Sequence, residues 1–142
     1  MRKLLLAAAL TSAGFALTAA APAPLQDVLD QIKEKTDEFF ASKGFSPTGF
    51  VSNGALGAGE TKTVTVNLKG GTGYGIIGIC DSDCGDLNLN LINSNGDETD
   101  NDVKDDDLPM VVTADSGAYS VKVSMVKCKV AKCRFRIIAY SK

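Results

Sequence analysis

The sequence predicts an all-β fold, an antiparallel β-sandwich of jelly-roll-like type, with one N-terminal amphipathic helix. Three observations lead there. Six short strand-like runs follow one another, four of them alternating apolar and polar residues; glycine and asparagine punctuate them, and one segment of helical period precedes them.

The helical segment follows Ala21-Pro22-Ala23-Pro24. Leu25, Val28, Leu29, Ile32, Thr36, Phe39 and Phe40 recur at spacings of three and four, with charged residues between them. Its acidic start and its Lys43-Gly44 finish suit the helix dipole and a glycine stop. A helix of this kind is expected to pack its apolar stripe on its own domain.

From Phe45 the period becomes two. The strand candidates are Thr61–Leu68, Tyr74–Cys80, Asp86–Asn93, Pro109–Ala114, Ala118–Val126 and Cys133–Tyr140, with Gly49–Ser52 as a seventh. Val64, Val66 and Leu68 share one face of the first, and Leu87, Leu89 and Leu91 one face of the third. Tyr119, Val121, Val123 and Met125 do the same in the fifth, as Phe135, Ile137 and Ala139 do in the last, opposite Arg134 and Arg136. Clean alternation in successive short strands implies two packed sheets with one wet face each. Gly70-Gly71-Thr72-Gly73-Tyr74-Gly75 lacks the lysine and the following helix of a phosphate loop and reads as a hairpin turn. Asn93–Asp107 shows no β pattern and reads as an acidic loop.

Met1-Arg2-Lys3, then a small and apolar run from Leu4 to Leu17 and an alanine-rich stretch, have the three parts of a secretory signal. The run is shorter than the roughly 20 residues of a membrane anchor. The expected organisation is a signal peptide over 1–20, a helix and linker over 21–48, and a sandwich over 49–142. Cleavage after Ala19, Ala20 or Ala21 would place the protein in the periplasm or outside the cell, with no membrane insertion after processing. Removal of Arg2 and Lys3 leaves 13 basic against 17 acidic residues, a balance that argues against nucleic acid as a partner.

Cys80, Cys84, Cys128 and Cys133 form C-x3-C and C-x4-C pairs in a chain bound for an oxidising compartment. The short spacings predict disulfides Cys80–Cys84 and Cys128–Cys133, since the shorter loop closes more readily. Cross-pairing remains open if the two turns lie at one end of the sandwich.

The chain contains no histidine, which removes Ser-His-Asp and Cys-His nucleophile pairs and most catalytic zinc sites. No catalytic residue and no cofactor is assigned. Calcium is the one metal to weigh, at the Asp81–Asp86 turn or the acidic loop 97–107, because alternate carboxylates suit a hard cation. Aspartates in turns also cap their own backbone amides.

Charge is sorted along the chain. Seven acids crowd Asn93–Asp107, and seven lysines or arginines with no acid follow Tyr119. Two arrangements fit. The acidic loop folds over the basic strands, or Lys127, Lys129, Lys132 and Arg134 project around the 128–133 hairpin and meet an anionic envelope polymer. The second is the preferred expectation, with an unidentified protein as the other partner class.

The string Gly78-Ile79-Cys80-Asp81-Ser82-Asp83-Cys84-Gly85-Asp86-Leu87-Asn88-Leu89 resembles the strand-turn-strand of the bacterial pre-peptidase C-terminal domain family. Asn95-Gly96-Asp97 and Ser116-Gly117-Ala118-Tyr119-Ser120-Val121-Lys122-Val123 are similar to its downstream pattern. The resemblance covers about residues 55 to 140. It implies a jelly-roll-like sandwich of the kind appended to secreted peptidases and itself not catalytic; some collagenase relatives bind calcium and matrix polymers. No peptidase is attached here, which suggests a stand-alone branch.

The expected function is therefore that of a non-catalytic exported binding or envelope accessory domain. The alternatives are a calcium-dependent polymer- or carbohydrate-binding module, for which the chain offers three tyrosines and no tryptophan, and a hydrolase accessory or inhibitor-like protein.

Overall fold

Helix α1 spans Val28–Ser42. Asp27 caps it, its Oδ1 accepting the Leu29 N–H at 2.8 Å. The chain leaves through Gly44, whose φ of +80° is left-handed backbone that glycine adopts without cost. The computed structural model describes residues 26–142; the expected signal peptide and its cleavage site lie outside the described residues.

Eight strands follow: β1 Ser46–Leu56, β2 Thr61–Leu68, β3 Tyr74–Cys80, β4 Cys84–Ile92, β5 Glu98–Asp102, β6 Met110–Thr113, β7 Gly117–Cys128 and β8 Cys133–Ser141. They form two four-stranded antiparallel sheets, in the orders β1-β8-β3-β6 and β2-β7-β4-β5. The first strand pairs with the eighth, the second with the seventh, the third with the sixth and the fourth with the fifth. The chain is thus one long hairpin rolled onto itself, which is a jelly roll.

Between the sheets lies the main core. Val66, Leu68, Leu87, Leu89, Val121 and Val123 meet Ile76, Phe135 and Ile137 from the opposite layer. Each large apolar side chain removed from water contributes about 1.5–3 kcal/mol. These are the alternating residues that the sequence sorts to one face.

The other face of the β1-β8-β3-β6 sheet departs from the expected wet surface. Leu29 and Phe40 of α1 cover Ile77, Ile79, Ile138 and Tyr140 there, so every residue of β3 is buried. Phe40 stacks on Tyr140 with centroids 4.0 Å apart and planes at 4°. Gly75 makes room for it, because a Cβ there would lie 2.7 Å from Phe40 Cε1. The Tyr140 hydroxyl donates to Asp37 Oδ1 at 2.6 Å, and Lys33 Nζ reaches Asp37 Oδ2 at 2.6 Å. The helix is docked on the sheet, and β1 begins at Ser46, inside the segment expected to be linker.

Two loop expectations also change. The acidic segment is not structureless: Glu98–Asp102 is strand β5, paired with β4 at the sheet edge. An edge strand needs only backbone partners, and a row of charges discourages a further strand from joining. The glycine-rich segment 70–75 is not a hairpin turn, since β2 and β3 belong to different sheets.

Candidate functional site

The four cysteines sit at one end of the sandwich. Cys80 is bonded to Cys84 and Cys128 to Cys133. Each bond joins the end of a strand in one sheet to the start of a strand in the other, so the pair staples the layers together. Cys84 and Cys128 are register partners across β4 and β7, which brings the two turns side by side.

The turn after Cys80 uses its carboxylates on its own frame. Asp81 accepts the Asp83 N–H at 3.2 Å and the Arg134 N–H at 2.8 Å. Asp86 is 6% exposed, its Oδ1 has no partner, and burial, with Asp105 nearby, pushes its carboxyl above the ordinary range despite the opposing charge of Lys127. In the 97–107 segment Asp100 and Asp102 accept the Val112 and Met110 amides, and Glu98 accepts from the Asn90 and Asn101 side chains. Neither calcium candidate gathers a ligand set: among the described residues no three acidic, cysteine or histidine side chains are grouped to hold a metal.

The basic hairpin is largely engaged as well. Lys127 Nζ lies 2.6 Å from both carboxylate oxygens of Asp105, and Lys132 Nζ lies 2.5 Å from Glu60 Oε2. Arg134 Nη1 meets Asp27 Oδ2 at 2.6 Å, and its Nε lies 3.8 Å from Asp81. Arg136, expected on an open face, has a side chain only 15% exposed, held by Asp30 at 2.7 Å and Asn53 at 2.7 Å. The hydrogen bond to Asp105 raises the Lys127 pKa, and those from Arg134 and Lys132 lower those of Asp27 and Glu60. Lys129 is exposed and makes no ion pair among the described residues. The geometry goes with internal neutralisation, but the acidic segment supplies only one of the partners; the helix start, the β1–β2 turn and the Asp81 turn supply the rest.

What the sequence does not single out is an apolar groove between α1 and the edge strand β6. Its wider section, ≈460 Å³, is lined by Ile32, Lys35, Phe39, Ile77, Leu108 and Met110 among others. A narrower section of ≈200 Å³ shares Phe39 and Met110 and continues to Lys43, Phe45 and Val112. Phe39 is 51% exposed, and Leu108, Met110 and Val112 are exposed beside it. The signal was present in two places. Phe39 and Phe40 are adjacent, about 100° apart around the helix, and so stand at opposite edges of its apolar stripe, and Met110-Val111-Val112 is apolar on both faces of its strand.

No protein-family model and no curated protein matches the chain.

Proposed function

We propose that the chain is exported, loses residues 1 to about 20, and works in the periplasm or outside the cell as a non-catalytic envelope-binding domain, a relative of the pre-peptidase C-terminal family. The observation that carries this reading is the exposed groove between α1 and β6. It is a continuous apolar surface left open after the sheets and helix are packed, and such surfaces serve recognition. The two disulfides fit an oxidising compartment. Most carboxylates and cations near the cysteine end are engaged in caps and ion pairs, as suits a scaffold rather than proton transfer. No helix among the described residues is long and apolar enough to cross a membrane.

The test compares envelope retention of the exported protein with two variants, at low and high salt. Met110→Glu alters the groove; the second variant changes Lys127, Lys129 and Lys132 to Ala. The reading expects export, loss of retention for Met110→Glu and retention by the lysine variant. Cytoplasmic residence would overturn it. So would the reverse pattern, which would return the binding site to the basic hairpin and an anionic polymer.

A further inference from the structure

The narrow section of the groove is lined by Lys43, and Lys142 lies over the turn that follows it, since a Cβ on Gly44 would meet Lys142 Cε at 3.6 Å. Lys43 Nζ stands 5.8 Å from the Phe39 ring centroid and Lys142 Nζ stands 5.7 Å from that of Phe45. Among the described residues neither ammonium is in an ion pair, and the main-chain oxygen of Lys142 is taken by the Thr72 N–H at 2.7 Å. The wide section is lined by Lys35, and among the described residues no acidic side chain lines either section. The floor between the two ends is apolar: Phe39, Met110, Ile32 and Ile77.

The strand side of the groove is closed to one class of occupant. The outward amides of β6, Met110 and Val112, already donate to Asp102 Oδ2 at 3.1 Å and Asp100 Oδ2 at 2.7 Å. A peptide strand added at this edge would find no free donors, so the groove does not suit β-augmentation. An unbranched apolar chain needs none.

On the reading that the groove is the working surface, we infer that it holds a single-chain long-chain carboxylate. The hydrocarbon lies over Phe39 and Met110, and the acid group pairs with a lysine on the helix side of the groove, Lys43 or Lys35. With no acidic side chain in the lining, a carboxylate meets no like charge there. The wider section, ≈460 Å³, falls within the range of about 300–1,000 Å³ typical of small-molecule sites, with few charged groups in its lining.

The experiment titrates the exported protein with saturated carboxylates of increasing chain length, each below its micelle threshold, beside alkyl-trimethylammonium ions of equal length. The expected result is saturable one-to-one binding, tightening about two- to fourfold per added methylene until the groove is filled. The carboxylate should bind at least tenfold tighter than the matched cation at low salt, and Lys35→Glu with Lys43→Glu should reverse that order. Met110→Glu should abolish binding; because Met110 is exposed, this variant is expected to fold, which a thermal melt checks. Equal affinity for the two headgroups would overturn the inference, as would binding only to vesicles. A dimer that Met110→Glu dissolves, with no carboxylate binding, would assign the groove to a second copy. If carboxylates fail while Met110→Glu still loses envelope retention, the ligand class falls and the groove reading stands.

Discussion

Asp100 Oδ2 accepts the backbone N–H of Val112 at 2.7 Å, so a carboxylate on the edge strand of one sheet closes the edge of the other. Asp102 does the same for Met110 at 3.1 Å, one rung along. Removing the acceptor leaves an edge amide unpaired and the strand open. Asp100→Ala is predicted to destabilise the domain by about 1–2 kcal/mol, read from the urea midpoint, and Asp100→Asn, which keeps an acceptor oxygen, by less. Equal losses in the two variants would show that the hydrogen bond is not what matters.

Gly75 lies under the ring that docks the helix, where a Cβ would come within 2.7 Å of Phe40 Cε1. Gly75→Ala must displace a ring stacked on Tyr140. The predicted cost is about 1–3 kcal/mol. Faster amide exchange should appear in α1 before it appears in β7, measured by hydrogen exchange. Uniform acceleration through both would contradict local docking.

The Tyr140–Asp37 contact gives the helix a pH window. Burial opposes ionisation of Asp37, but the hydrogen bonds from Lys33 and Tyr140 outweigh it and hold its pKa below the ordinary value. Its contribution is therefore present above the usual aspartate pKa of about 3.9 and lost as pH falls through the lower folded value. Burial, aided by Asp37, raises the Tyr140 phenol, so its contribution is present below about 10 and lost as pH rises beyond that. Protection of α1 amides should fall at both extremes. Tyr140→Phe should flatten the alkaline arm and weaken the acid one.

Asp86 runs the other way. Its folded pKa is raised, first by burial and then by Asp105, so the neutral form favours folding at acid pH and that contribution disappears as pH rises through the folded value. Asp86→Asn is predicted to be more stable than the parent at pH 7, by about 1 kcal/mol. The gap should close towards pH 3. A variant less stable at pH 7 would mean that Lys127 needs the charge more than the fold resents it.

Strands β2 and β3 were legible to the residue because their apolar side chains alternate or run continuously between glycines and asparagine. β5 was not, because Glu98-Thr99-Asp100-Asn101-Asp102 has no apolar member; it is held by backbone pairing to β4 and by carboxylates reaching β6. β8 misled for a different reason. Arg134 and Arg136 mark a wet face, yet Ile138 and Tyr140 on that same face lie under α1, and the arginines meet Asp27 and Asp30 at its start. Those ion pairs join residues more than 100 positions apart, and no local pattern announces them. The groove was half legible: its residues are visibly apolar, but only the docking of α1 beside β6 shows that Phe39 and Met110 are left uncovered together.

Export and the two local disulfides are tested most directly by one measurement, the intact mass of the exported protein with a non-reducing peptide map. The predicted result is a chain lacking Leu4–Leu17, with Cys80 linked to Cys84 and Cys128 to Cys133. A mature form that keeps Leu4–Leu17, or a peptide joining the 80–84 turn to the 128–133 turn, would contradict it.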